Sequence, residues 1–209
     1  SLDNQELQDL DHLTDTLSLP VQDIVRGEVQ IPTYRLFEID QMMQDDTSLH
    51  YQRSEELKKW IEDFQTKEHE FDVPEHYQAI LRDYQKKGYQ WLRLMEHYHF
   101  GGILADDMGL GKTLQMITYF DSLKGQGTHL VIAPASLILN WQDELMKFSN
   151  DLNVLCVYGN KEEREKQLKD QEKYDVLITS YDYLRRDIEW YEKLDLMNRG
   201  RLLKRRHIV

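Results

Sequence analysis

The residues whose types and spacing could do chemistry are Asp106-Asp107-Met108-Gly109-Leu110-Gly111-Lys112-Thr113. Two glycines a residue apart let the backbone turn so that its N–H groups point inward. A Lys-Thr pair follows and opens a run with helical apolar spacing, Thr113 to Leu123. Inward N–H groups, the positive end of a helix dipole and a lysine ammonium together suit a polyphosphate. Lys112 is placed to contact β- and γ-phosphates, and Thr113 to offer a hydroxyl to Mg2+ held through the nucleotide. Lys112 and Thr113 are thus the catalytic candidates. Asp107, Met108, Gly109, Leu110 and Gly111 complete the loop that would hold ATP. The generic pattern carries Gly at the first position, where this chain has Asp106. The competing reading is a glycine-containing strand-to-helix turn followed by an incidental Lys-Thr pair.

Such a loop needs a strand before it and a helix after it. Gly101-Gly102-Ile103-Leu104-Ala105 reads as that strand. Leu130–Ala133, Val154–Tyr158 and Val176–Thr179 read as three more, the first ended by Pro134 and the second by Gly159. Helical patterns separate them at Thr113–Leu123, Ser136–Phe148 and Lys161–Gln171. Continuous apolar strands alternating with helices predict a parallel sheet covered on both faces. Residues 1–75 differ. Leu7, Leu10, Leu13 and Leu17 follow Asp3 at helical spacing, and Pro20 opens a second helical turn. Tyr34, Phe37, Ile39 and Met42 suggest a third helix. Ser54 caps a fourth, with Leu57, Trp60, Ile61 and Phe64 on its apolar face. Pro74 disfavours helix at Val73 and ends this region. The fold class is therefore α/β: a helical N-terminal region followed by a partial parallel-sheet P-loop domain.

The residues flanking the loop carry a family resemblance. Leu81-Arg82-Asp83-Tyr84-Gln85-Lys86-Lys87-Gly88-Tyr89-Gln90-Trp91-Leu92 resembles the segment ahead of the nucleotide loop in the Swi/Snf family of DNA translocases, within helicase superfamily two. In that family the loop begins with Asp and an acidic residue, so Asp106 is the expected residue. Ile132-Ala133-Pro134-Ala135-Ser136-Leu137 with Asn140, Trp141 and Glu144 is similar to the family's next motif. Ile178-Thr179-Ser180-Tyr181 is similar to the one after it. Residues 1–75 resemble the helical, helicase-associated extension of bacterial members.

The resemblance implies a RecA-like lobe over residues 76–195. It implies adenine recognition by Gln85, whose carboxamide offers a donor and an acceptor together, with Arg82 supporting the pocket. It implies contact with the double-stranded DNA backbone by Ser136, Asn140, Thr179 and Ser180. Each has a structural alternative: an exposed helix residue for Gln85, a surface charge for Arg82, a helix N-cap for Ser136, and turn chemistry for Thr179 and Ser180. Trp91, among apolar helix positions, reads as core.

The family continues with a strand ending in Asp-Glu-Ala-Gln or Asp-Glu-Ala-His, and no such sequence occurs in these 209 residues. After Asp195 the chain turns basic through Arg199, Arg201, Lys204, Arg205 and Arg206. A shifted reading frame or an artificial junction is the favoured explanation for residues 196–209, a basic tail for nucleic acid the other. The expectation is a chain that binds ATP without turning it over. An incomplete sheet with open strand edges predicts self-association. A non-catalytic nucleotide- or DNA-binding regulatory module is the alternative function, and an unrelated P-loop kinase fits the flanking motifs less well.

The bulk composition agrees with a globular chain: 40% hydrophobic, 31% charged, no bilayer-length apolar run. The net charge of −12 argues against a simple basic nucleic-acid clamp, while a local basic strip would suffice for DNA. The single cysteine, Cys156, forms no internal disulfide and fits a reducing, cytoplasmic location. His97 and His99, two apart on a helical pattern, diverge and do not suggest a metal.

Overall fold

The computed structural model describes residues 52–67 and 71–193, with short pieces at 35–36 and 40–41. The chain divides into two compact units, Ser1–Glu62 and Asp63–Val209. The helices expected around Leu7–Leu17 and after Pro20, most of the third helix, and the basic stretch 196–209 lie outside the described residues.

In the first unit Arg53 donates from Nε and Nη2 to the buried Asp40 carboxylate at 2.6 and 2.5 Å. Helix α1 (Glu55–Thr66), whose residues from Asp63 onward belong to the second unit, starts as expected at Ser54, whose Oγ accepts from the Leu57 N–H at 3.1 Å. Leu57, Trp60, Ile61 and Phe64 are half-buried, while Glu55, Glu56, Lys58, Lys59 and Glu62 are exposed.

The second unit runs α2 (Glu75–Gln78), α3 (Asp83–His97), α4 (Lys112–Ser122), β1 (His129–Ala133), a 3-10 turn (Ala135–Leu137), α5 (Ile138–Phe148), β2 (Val154–Cys156), α6 (Lys161–Leu168), a second 3-10 turn (Gln171–Lys173), β3 (Val176–Ser180), α7 (Tyr181–Arg186) and α8 (Ile188–Lys193). The strands form a parallel sheet in the order β1-β3-β2, with Val131 opposite Ile178 and Leu155 opposite Leu177. β3 is central and buried along its whole length.

Alternation along β3 divides the interior. Val176 and Ile178 join Val131, Cys156, Ile138, Leu145 and the α4 residues Met116, Ile117 and Phe120 on one face. Leu177 points to the other, with Val157, Leu168 and Tyr191. Each such fully buried Leu or Ile contributes about 1.5–3 kcal/mol, so both faces must be covered. α3, α4 and α5 cover the first, and α6, α7 and α8 the second.

One expected strand does not form. Gly101–Ala105 has no ladder partner among the described residues, and Ile103 is 87% exposed. Apolar residues supply side-chain propensity, but a strand exists only through hydrogen bonds to a neighbour. The β1–β3–β2 ladder forms without this segment. Other differences are local. β2 ends at Cys156, because the Tyr158 N–H turns to Gln167 Oε1 at 3.2 Å. α6 stops at Leu168 instead of Gln171. Ser136 does not cap α5: the helix starts after Leu137 without a side-chain cap.

Cys156 lies inside the first cluster at 5% exposure. Burial, with a smaller contribution from the Asp143 charge, pushes its thiol from 9.0 up to about 11. The folded chain therefore holds this proton more tightly than the unfolded chain. That stabilisation is complete below pH 9 and is lost as pH rises through 11, about 3 kcal/mol in all. The expected result is a urea midpoint that falls between pH 8 and 11, and falls less in Cys156→Ala. Equal falls in the two chains would contradict it. Burial likewise raises Tyr191, to about 12.

Candidate nucleotide-binding site

The N-terminus of α4 opens on a turn made by two glycines. Gly109 and Gly111 sit at φ +89° and +75°, a region that disfavours any side chain. Gly111 precedes the first helical residue and offers no capping side chain. The first-turn N–H groups of α4 therefore receive no cap from the preceding residue. A β-carbon on Gly111 would also lie 2.4 Å from Gln85 Nε2, so a side chain there would displace the Gln85 carboxamide as well as strain φ.

Gln85 is buried, and both ends of its carboxamide are engaged within the protein. Oε1 accepts from the Arg82 N–H and Nε2 donates to the Leu110 carbonyl, each at 3.0 Å. The Tyr84 hydroxyl donates to the same carbonyl at 3.2 Å. Lys112 folds back over the loop: its ammonium donates to the Asp106 and Asp107 carbonyls at 2.6 and 2.9 Å. Thr113 is half-buried at the helix start. Met108 is 97% exposed at the tip, and Arg82 and Asp107 are exposed. The tertiary structure thus gathers Gln85, Leu110, Gly111, Lys112 and Thr113 around one loop. Arg82 reaches it only through its backbone N–H to Gln85.

The residues expected to meet DNA separate into two pairs. Ser136 and Asn140 are exposed, just beyond the C-terminal end of β1. Thr179 and Ser180 are buried. Thr179 Oγ1 donates to the Val157 carbonyl at 3.3 Å, and Ser180 Oγ accepts from the Tyr183 N–H at 3.3 Å, capping α7. Strand ends in a parallel sheet share one edge, so both pairs belong to the same rim of the domain.

Sequence reasoning passed over Gln115. It is fully buried on α4 and donates from Nε2 to Asp106 Oδ2 at 3.3 Å. The available signal was a carboxamide standing between Leu114 and Met116 in an apolar run. Tyr84 and Gly88 were also passed over as parts of the site. No helix among the described residues is long and apolar enough to cross a membrane.

The sequence pattern of the SNF2-related domain matches residues 84–203, and that of the bacterial SNF2 helicase-associated region matches residues 1–74. The chain belongs to the SNF2 family. This SNF2 chain is 45% identical over 114 residues to an uncharacterized ATP-dependent helicase of Mycoplasma genitalium, covering 53% of this chain and 11% of that protein. It is 43% identical over 128 residues to a putative ATP-dependent helicase/translocase of Bacillus subtilis, covering 56% of this chain and 14% of that protein. Among solved structures it is similar to the Sulfolobus solfataricus SWI2/SNF2 ATPase core in complex with dsDNA. That match has 42% identity and a TM-score of 0.50, and covers 57% of this chain and 25% of the other. The SNF2 chain therefore spans only a small share of the relatives it matches. Its three-stranded parallel sheet with helices on both faces is part of the RecA-like fold of that core.

Proposed function

We propose that this chain is the ATP-binding front portion of an ATP-driven double-stranded DNA translocase. Residues 1–75 are its helical extension, residues 76–195 its first RecA-like lobe, and residues 196–209 a separate basic stretch. The observation that carries the reading is the Lys112 ammonium set over a loop whose two positive-φ glycines open an uncapped helix N-terminus. A polyphosphate fits these groups. It would take the α4 N–H groups and the ammonium in place of the Asp106 and Asp107 carbonyls. Asp107 and Met108 flank the entrance, and Thr113 would hold Mg2+ through the nucleotide. Gln85 would read adenine by exchanging the Leu110 carbonyl for the base, with Arg82 steadying it.

Ser136 and Asn140, exposed on the strand-end rim, would touch the DNA backbone directly. Thr179 and Ser180 support that rim from within, through the hydroxyl bonds they already make. The solved relative was obtained with double-stranded DNA, which supports the partner. β1 has a neighbour on one side only among the described strands, which supports self-association.

Phosphoryl transfer depends on charge stabilisation from several directions. These 209 residues contain no Asp-Glu-Ala-Gln or Asp-Glu-Ala-His sequence, so binding without turnover is expected. The test is calorimetry with ATP, with and without Mg2+, beside a steady-state ATPase assay with duplex DNA. Mg2+-dependent uptake with no DNA-stimulated turnover is the expected result. Absence of uptake overturns the nucleotide reading, and turnover abolished by Lys112→Ala overturns the binding-only part.

A further inference from the structure

Two buried glutamines grip the phosphate loop. Gln85, on α3, grips its far end at the Leu110 carbonyl. Gln115, on α4, grips its near end at the Asp106 carboxylate. The two glutamines lie on helices that pack together, and each occupies space opened by a glycine. A β-carbon on Gly111 would meet Gln85 Nε2 at 2.4 Å, and one on Gly88 would lie 1.8 Å from Gln115 Oε1. Gly88 is one turn after Gln85 on α3, so Gln85 and the space for Gln115 share one helix face.

Gln115 is an expensive choice for packing alone. It is fully buried, and its Oε1 has no hydrogen-bond partner among the described residues. A buried carbonyl oxygen without a donor destabilises the fold, while a methionine of similar length would fill the same space without that penalty. Its neighbours Met116, Ile117, Tyr119 and Phe120 are buried and mostly apolar. What a methionine could not do is donate to Asp106.

We propose that Gln115 is a positioning residue for the phosphate loop, fixing Asp106 so that the loop carbonyls and N–H groups stand where a polyphosphate and Lys112 meet. The link runs from the buried carboxamide to the Asp106 carboxylate. From there it passes through the Asp106 backbone, whose carbonyl holds the Lys112 ammonium when no phosphate does. Gln115 touches no nucleotide itself. With this anchor gone, Lys112 still meets the Asp106 and Asp107 carbonyls, but the Asp106 side chain has lost its fixed partner and the start of the loop loosens.

The affinity part of this inference rests on the nucleotide reading above, and the dynamic part does not. Two measurements on the 209-residue chain keep them apart. In the nucleotide-free chain, 15N relaxation is expected to show order parameters for residues 106–111 falling from the rigid range, about 0.85, toward 0.6 in Gln115→Met. The interiors of α3 and α4 should keep theirs, and the melting temperature should stay or rise. Unchanged loop order parameters overturn the proposal, whatever the chain binds.

For Mg-ATP, calorimetry is expected to give about a tenfold weaker Kd in Gln115→Met, or 1.4 kcal/mol. Asp106→Ala should give a similar loss, and the double variant should lose no more than either single one. Losses that multiply to a hundredfold would mean independent roles and overturn the link. A melting temperature that falls in step with affinity would make Gln115 a packing residue and overturn it as well. A wild-type chain that takes up no ATP defeats the nucleotide reading, leaving the relaxation result to decide the positioning role.

Discussion

Replacing Asp187 with alanine is expected to destabilise the Asp63–Val209 unit by about 3–5 kcal/mol, a large part of the 5–15 kcal/mol that holds a domain together. Asp187 and Arg164 are each 4% exposed. Their side chains meet in a two-pronged pair, Nε to Oδ2 at 2.5 Å and Nη2 to Oδ1 at 3.0 Å. The third guanidinium nitrogen, Nη1, donates to the Gly159 carbonyl at 2.7 Å, and the guanidinium lies 4.7 Å from the centre of the Tyr183 ring. The hydrogen bond to Asp187 raises the arginine's pKa further, so the positive charge persists at any working pH. Without Asp187 that charge stays buried with only a carbonyl and a ring to offset it.

The pair joins α6 and the turn after β2 to the α7–α8 junction beyond β3, so its loss opens the second core cluster. With a slope of about 2 kcal/mol per M, the urea midpoint followed by circular dichroism should fall by about 2 M. A shift under roughly 0.5 M would show the pair to be energetically idle. Replacing both partners, as Arg164→Met with Asp187→Leu, should restore most of the loss, because no charge is then left uncompensated.

Lys112→Ala is expected to weaken Mg-ATP binding by about a hundredfold while leaving the melting temperature nearly unchanged. Hydrogen bonds to charged groups contribute about 1.5–3 kcal/mol each, and a lysine bridging two phosphates loses two when truncated, about 3–6 kcal/mol. That is offset in part, because the wild-type ammonium must first leave the Asp106 and Asp107 carbonyls. The net is about 3 kcal/mol, or roughly a hundredfold. Stability is spared because Asp106 is only half-buried and Asp107 exposed, so water can replace the ammonium at both carbonyls. Calorimetry with thermal unfolding on the same samples separates the two effects. Unaltered affinity, or a collapse of the fold together with the binding, would contradict the role assigned to Lys112.

Much of the second unit was legible because its signals are local. Pro74 ends one region, helices alternate with short apolar strands, and the strands at β1, β2 and β3 fall within two residues of where the apolar runs place them. Two glycines before a Lys-Thr pair dictate a left-handed turn into a helix, since no other residue takes φ +89° or +75° without strain. The Swi/Snf resemblance followed from the order of such motifs along the chain, which needs no coordinates.

What the sequence could not decide was partnership across space. Gly101–Ala105 has strand composition but no neighbour to bond among the described residues. For Thr179 and Ser180 the sequence left DNA contact and turn chemistry both open, and only the folded chain shows their hydroxyls bonded to Val157 and Tyr183. Arg164 stands in a polar helix and looks solvated, yet it is 4% exposed because Asp187, 23 residues away, folds against it. Gln115 reads as one polar residue in an apolar helix, and only the approach of α3 through Gly88 gives its carboxamide a place. Backbone conformation is governed by each residue and its near neighbours, so the sequence determined it. Charge pairing and burial depend on what the folded chain brings within a few ångströms, so only the tertiary structure decided them.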